Sequence, residues 1–144
     1  MTETSESPLP NPSAEEIREL LRATHTIAVV GLSDSPARAS HRVAAYLKAH
    51  GYHIIPVNPN VAEVFDEEAY PSLRDVPEKI DLVDVFRRPE HVPGVVEDAI
   101  AVGAKAVWLQ EGIVHNAAAR RAREAGLQMV MNRCLMVEHR MLGD

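Results

Sequence analysis

A single cysteine, Cys134, stands in the 144 residues. No intrachain disulfide can form, which suits a reducing compartment. Aromatic residues are scarce at 4%, with one tryptophan and two phenylalanines. The 46% hydrophobic content therefore rests on Val, Leu, Ile and Ala, a core that suits a buried parallel sheet covered by helices. Basic residues number 15 against 21 acidic ones, a formal charge of −6. That balance argues against a nucleic-acid-binding surface but leaves room for a local basic spot on a small anion. No apolar run is long enough to span a membrane, and no basic segment leads into an apolar one as in a secretory signal. These absences predict a soluble cytoplasmic protein with no nucleic-acid or membrane partner. The length fits one domain.

What is present reads as alternating strands and helices. Residues 1–12, with Pro8, Pro10 and Pro12 among polar residues, read as a flexible N-terminal arm, and residues 13–144 as the domain. Ser13 and Glu16 have capping-box spacing ahead of a short helix carrying Ile17, Leu20 and Leu21. Strands are expected at Thr26–Val30, Tyr52–Val57, Ile80–Phe86, Ala104–Leu109 and Leu127–Met131, with a short edge strand near Phe65. Helices are expected at Ser40–Ala49, Glu90–Val102 (opened by Pro89), His115–Ala125 and Leu135–Leu142. The fold class that follows is α/β: a Rossmann-like, doubly wound parallel sheet in three layers and a single domain.

The most informative segment is Ile27–Ser40. An aliphatic run stops at Gly31, crosses a polar loop, and enters an amphipathic helix. A helix N-terminus presents unpaired N–H groups and a positive partial charge, so it favours a phosphate. Gly31 lets the backbone approach closely, Ser33, Ser35 and Ser40 offer hydroxyls, and Arg38 offers charge. In such sheets, ligands lie outside the carboxyl ends of the strands. The polar residues there are Asn58-Pro59-Asn60, Phe86-Arg87-Arg88-Pro89, Gln110-Glu111-Gly112 and Asn132-Arg133-Cys134, pointing to one long crevice. Arg87 and Arg88 at a helix start oppose the macrodipole slightly, which sets a ligand-facing role level with simple solvation.

NAD is disfavoured. Its G-x-G-x-x-G loop has only Gly31 here, with Ser33 and Pro36 at the other two positions, and strand two ends without an acid to hold the ribose. The seven histidines lack zinc spacing. Trp108 reads as packing and Cys134 as a buried thiol, with a reactive thiolate beside Arg133 the lesser alternative. Glu111 is a candidate acid or base without a visible partner.

These stretches resemble the CoA-binding domain family, small stand-alone proteins akin to the N-terminal domain of the succinyl-CoA synthetase alpha subunit. The matching residues are Val30–Ser33 with Pro36, Arg38 and Ser40; Pro56–Pro59; Asp81–Arg87; Trp108–Gly112; and Asn132–Cys134. The resemblance implies CoA or acyl-CoA as the ligand, with Ser33, Asp34, Ser35 and Pro36 in the phosphate-contacting loop. It places Asn58, Pro59, Asn60 and Val61 near the adenosine and Phe86 to Pro89 on the facing strand end. The synthetase carries a lysine where Val61 stands, leaving Arg38 or Arg87 to supply that charge. Its phosphorylated histidine and beta subunit have no counterpart here, so the expectation is a CoA-binding protein without catalysis of its own. The alternatives are a subunit of an acyl-CoA ligase or transferase, or an NAD-binding redox sensor; a protein partner or homo-oligomer stays open.

Overall fold

Thr26–Val30 (β1) is buried at every position, because neighbours flank it on both sides and helices cover both faces. The computed structural model describes residues 7–142. Within it, five parallel strands are ordered β2-β1-β5-β6-β7. Here β2 is His53–Val57, β5 is Leu82–Val85, β6 is Ala106–Leu109 and β7 is Gln128–Val130. β1 is a β-branched and aliphatic run, and the other strands keep that character around Pro56 in β2, Asp84 in β5, Trp108 in β6 and Met129 in β7, the composition that suits strands buried on both faces.

Successive side chains alternate between the two faces. Ile27, Val29, Leu82, Ala106 and Trp108 pack with α1 (Ala14–Ala23), α2 (Ala39–Ala49) and α5 (Leu135–Arg140). Ala28, Val30, Val83, Val85, Val107 and Leu109 pack with α3 (Val92–Ala101) and α4 (Asn116–Glu124). The result is a three-layer, Rossmann-like α/β domain. Helix α1 begins as expected: the Ser13 hydroxyl accepts from the Glu16 N–H, and the Glu16 carboxylate accepts from the Ser13 N–H.

Two local features differ from the sequence reading. Phe65 is not in a strand. It forms a two-residue hairpin turn with Asp66 between β3 (Glu63–Val64) and β4 (Glu67–Glu68). Both turn residues have positive φ, 57° and 63°, as the twist of a tight hairpin demands. The Phe65 ring lies against His41, centroids 4.6 Å apart. Second, the helix expected from Glu90 starts as a 3-10 turn, Pro89–His91, before α3 proper. Trp108, read as a packing residue, is fully buried, and its indole donates to the Arg133 carbonyl at 2.9 Å.

Of the arm expected over residues 1–12, residues 1–6 lie outside the described residues. Ser7–Pro12 runs along the α4 and β7 edge. Asn116 donates to the Ser7 carbonyl and accepts from the Leu9 N–H. Asn11 exchanges two hydrogen bonds with the Met131 backbone, covering an edge strand that would otherwise be open.

Two aspartates three residues apart meet opposite conditions. Asp81 accepts from the backbone N–H groups of His25 and Thr26, at 2.9 and 3.0 Å. Burial acts to raise its pKa, but these bonds, with Lys105 and Lys79 nearby, hold the carboxyl below its usual value. Asp84 is fully buried within β5. Its Oδ1 accepts from Gln110 Nε2 at 2.6 Å, while Oδ2 has no partner among the described residues. Burial pushes the Asp84 carboxyl up from 3.8 to about 7, against the lowering effect of the Gln110 bond. Between those values the folded chain holds a proton that the unfolded chain does not, so stability falls as pH rises through that window. Asp84→Asn therefore raises the melting temperature by a few degrees near pH 8 and by little near pH 4; a thermal series across pH with equal shifts at both ends contradicts the burial of an ionisable Asp84.

Candidate functional site

The strand order reverses between β1 and β5: the chain leaves β1 toward β2, then crosses back to β5 on the other side. Loops therefore diverge at the carboxyl ends of this pair and leave a crevice. Gly31 ends β1 there with φ +89°, and its N–H donates to the Val57 carbonyl at 2.8 Å. A Cβ on Gly31 would collide with the Phe86 carbonyl and stand 3.2 Å from Arg87 Cδ. Glycine is required at this position on both counts.

The loop after Gly31 is shaped by its own serines. Ser40 Oγ accepts from the Ser33 N–H and Ser33 Oγ from the Ser35 N–H, each at 3.0 Å. Both hydroxyls keep their hydrogens for donation. Asn58, at the end of β2, donates from its side chain to the Leu32 carbonyl at 3.0 Å and accepts from the Asn60 N–H at 2.9 Å. Asn58 thus braces the loop. Arg42 braces it from α2, donating to the Ala37 carbonyl at 2.7 Å. Arg38 is the N-cap of α2 and makes no side-chain cap. By contrast, α1 has its capping box, and at α4 the His115 ring accepts from the Ala118 N–H. The uncapped α2 leaves first-turn donors facing the loop, an arrangement that suits an anion.

Three clefts adjoin along this edge among the described residues. Gly31, Ser33, Arg38, Ala39, Ser40, Asn58 and Phe86 line one of about 410 Å³. A second, also about 410 Å³, is lined by Ala39, Val43, Phe86, Arg87, Arg88, Gln110, Glu111, Ile113 and Cys134. A third, about 280 Å³, lies on the α3 side and includes Val57, Pro59, Ser72, Arg87, His91 and Asp98. Phe86 and Ala39 join the first two, and Arg87 joins the second and third. The first cleft is polar and carries a cation; the second is largely apolar.

The structure thus brings together Gly31, Ser33, Arg38, Ser40, Asn58, Pro59, Phe86, Arg87, Arg88 and Glu111 along one edge. Asp34, Ser35 and Pro36 form the tip of the loop, with Asp34 and Pro36 exposed. Asn60 and Pro89 are exposed and line none of these three clefts. Glu111 is exposed and makes no hydrogen bond or ion pair. Cys134 is half-buried in the cleft wall, and His115 is committed to its helix. Asp84 and the α3 wall of the third cleft, Gly94, Val95 and Asp98, were not singled out in the sequence; the lone acid within the run Leu82–Val85 was the available signal for Asp84. Asn132 was placed at a strand end but not given its role. Its φ is +59°, and its side chain accepts from the Gly112 N–H at 2.7 Å, fixing the rim of the second cleft.

Comparison with known proteins fits this geometry. The chain is 43% identical over 129 residues to the protein YneT of Bacillus subtilis (strain 168), covering 90% of this chain and 96% of that one. A solved structure of a hypothetical protein from Pyrococcus horikoshii OT3 superposes with a TM-score of 0.91 at 43% identity, covering 100% of both chains. The apo form of the dinucleotide forming acetyl-coenzyme A synthetase 1 of Ca. Korarchaeum cryptofilum gives a TM-score of 0.67 at 29% identity. That match covers 76% of this chain but only 27% of the synthetase. The family model for the CoA binding domain matches residues 25–140. With that match running from the residue before β1 to the last residue of α5, the chain belongs to the CoA binding domain family.

Proposed function

We propose that this chain binds coenzyme A or an acyl-CoA at the carboxyl edge of the sheet and has no catalysis of its own. The observation that carries this reading is the side-chain-free crossing of Gly31 and Phe86 beneath the uncapped start of α2. A pyrophosphate seated there meets backbone donors, the Ser33 and Ser40 hydroxyls and the Arg38 guanidinium. The apolar cleft next to it takes a long, uncharged arm. Arg87, on the wall shared by the second and third clefts, supplies charge for a further phosphate on the ribose.

Glu111 has no partner to tune it, and the His115 ring is occupied as a cap. The likeness to part of an acetyl-coenzyme A synthetase favours a second reading, a subunit that completes an acyl-CoA ligase or transferase with a separate partner. NAD binding is weaker than either. The end of β2 offers Asn58, Pro59 and Asn60 in place of an acid, and Asn58 is already engaged with the loop.

Calorimetry with CoA, 3′-dephospho-CoA and NAD on one preparation tests the proposal. CoA binds, 3′-dephospho-CoA binds about tenfold more weakly through loss of a charge-assisted contact, and NAD is weakest; NAD equal to or better than CoA overturns it. Gly31→Ala tests the location. The left-handed conformation alone costs an alanine about 1–2 kcal/mol, and the added methyl displaces Phe86. A folded variant should therefore lose CoA affinity by about tenfold or more, and unchanged affinity would move the ligand elsewhere.

A further inference from the structure

Asp84 and Gln110 form a pair at the boundary between the core and the apolar cleft. Gln110 is buried but lines the cleft, and its Nε2 donates to Asp84 Oδ1 at 2.6 Å. Asp84 Oδ2 is the buried side-chain polar atom without a partner among the described residues. Gln110 Oε1 makes no hydrogen bond within the protein, yet it does not share that status. It is therefore the part of the amide open to the cleft.

We propose that this pair is a proton-coupled switch that decides whether the cleft floor accepts or donates a hydrogen bond. With Asp84 ionised, Gln110 must turn its NH2 inward and present oxygen to the cleft. When Asp84 takes a proton from solvent, that proton cannot rest on Oδ2, where a buried O–H would find no acceptor and would cost a full desolvation penalty. It goes to Oδ1, which becomes a donor. Gln110 then flips, accepting with its oxygen inward and presenting NH2 to the cleft. The missing partner on Oδ2 is what makes proton uptake and amide flip obligatory to one another. Asp84's neighbours in register, Val29 and Trp108, carry no charge; on that face α2 brings Val43, Ala44, Leu47 and the partly buried Tyr46, and α5 brings Leu135 and Met136, with Cys134 just before it. The charged or titratable groups of the cleft itself are Arg87, Arg88, Glu111 and Cys134.

The consequence for ligand choice rests on the CoA reading. An acceptor on the floor suits the S–H of free CoA, whereas a donor suits the carbonyl oxygen of a thioester. Two measurements separate the inference from that reading. In the ligand-free protein, NMR of the Asp84 13Cγ and the Gln110 side-chain NH2 between about pH 5 and pH 9 should show both moving with one midpoint. In Asp84→Asn the Gln110 signals stay fixed. Gln110 signals that ignore the Asp84 titration overturn the switch. Should Asp84→Asn fail to fold, the through-hydrogen-bond coupling between Gln110 15Nε2 and Asp84 13Cγ in the wild type decides: it is present above the midpoint and lost below it, and a coupling retained at both ends overturns the switch. Calorimetry should then show free CoA favoured over acetyl-CoA by about threefold near pH 8, the scale of one modest hydrogen bond, falling to parity near pH 5.5. A ratio flat with pH in the wild type overturns the switch. No binding of either compound overturns the CoA reading and leaves the NMR result to decide the switch.

Discussion

The carbonyl of Phe86 and the backbone of Gly31 occupy adjacent space with no room for a side chain between them. This contact follows from the reversal of strand order, because β1 and β5 are paired in register up to Val30 and Val85 and their loops must then part. A residue larger than glycine would hold the two loops apart or tilt the end of β1. The remainder of the edge is arranged around that crossing. The Gly31 N–H bonds to the end of β2 and the Phe86 N–H to the end of β1, so three strand ends are fixed in one plane.

From that plane upward, side chains determine the loop. Ser40 and Ser33 hold successive backbone N–H groups, while Asn58 grips the Leu32 carbonyl from β2. The division of labour is informative. Polar side chains that might have capped α2 are used to fold the loop, and the helix start is left open in the cleft. The same chain caps α1 with Ser13 and Glu16 and α4 with His115, while α3 and α5, like α2, have no side-chain cap. An open helix start costs stability, so its place beside the crossing of β1 and β5 has a physical sense if an anion completes it.

Much of this was legible in the residues. Aliphatic runs ending in glycine or a polar pair mark the core strands, because a strand buried on two faces tolerates little else. Ser13 and Glu16 announced α1 through spacing alone. Legibility ended where partners are distant. Nothing near Asn11 or Asn116 signals bonds to Met131 and Leu9, more than a hundred positions away. Asn58 reads as a ligand group at a strand end, and it lines the first cleft, but its second task of holding the Leu32 carbonyl is invisible in sequence. A short strand near Phe65 was legible, and β3 and β4 flank it, but the two-residue hairpin that gives Phe65 a left-handed conformation aromatic residues seldom adopt was not. Asp84 sat in plain view within an apolar run, yet only its complete burial gives that position meaning.

Backbone amide shift mapping during a CoA titration tests the central claim most directly. A ligand on the β1–β5 crevice perturbs Gly31 to Ser40 and Phe86 to Arg88 most strongly, with Gln110 and Ile113 following as the apolar cleft fills. Perturbations centred instead on the groove between α3 and α4, or on the β7 edge, would contradict it.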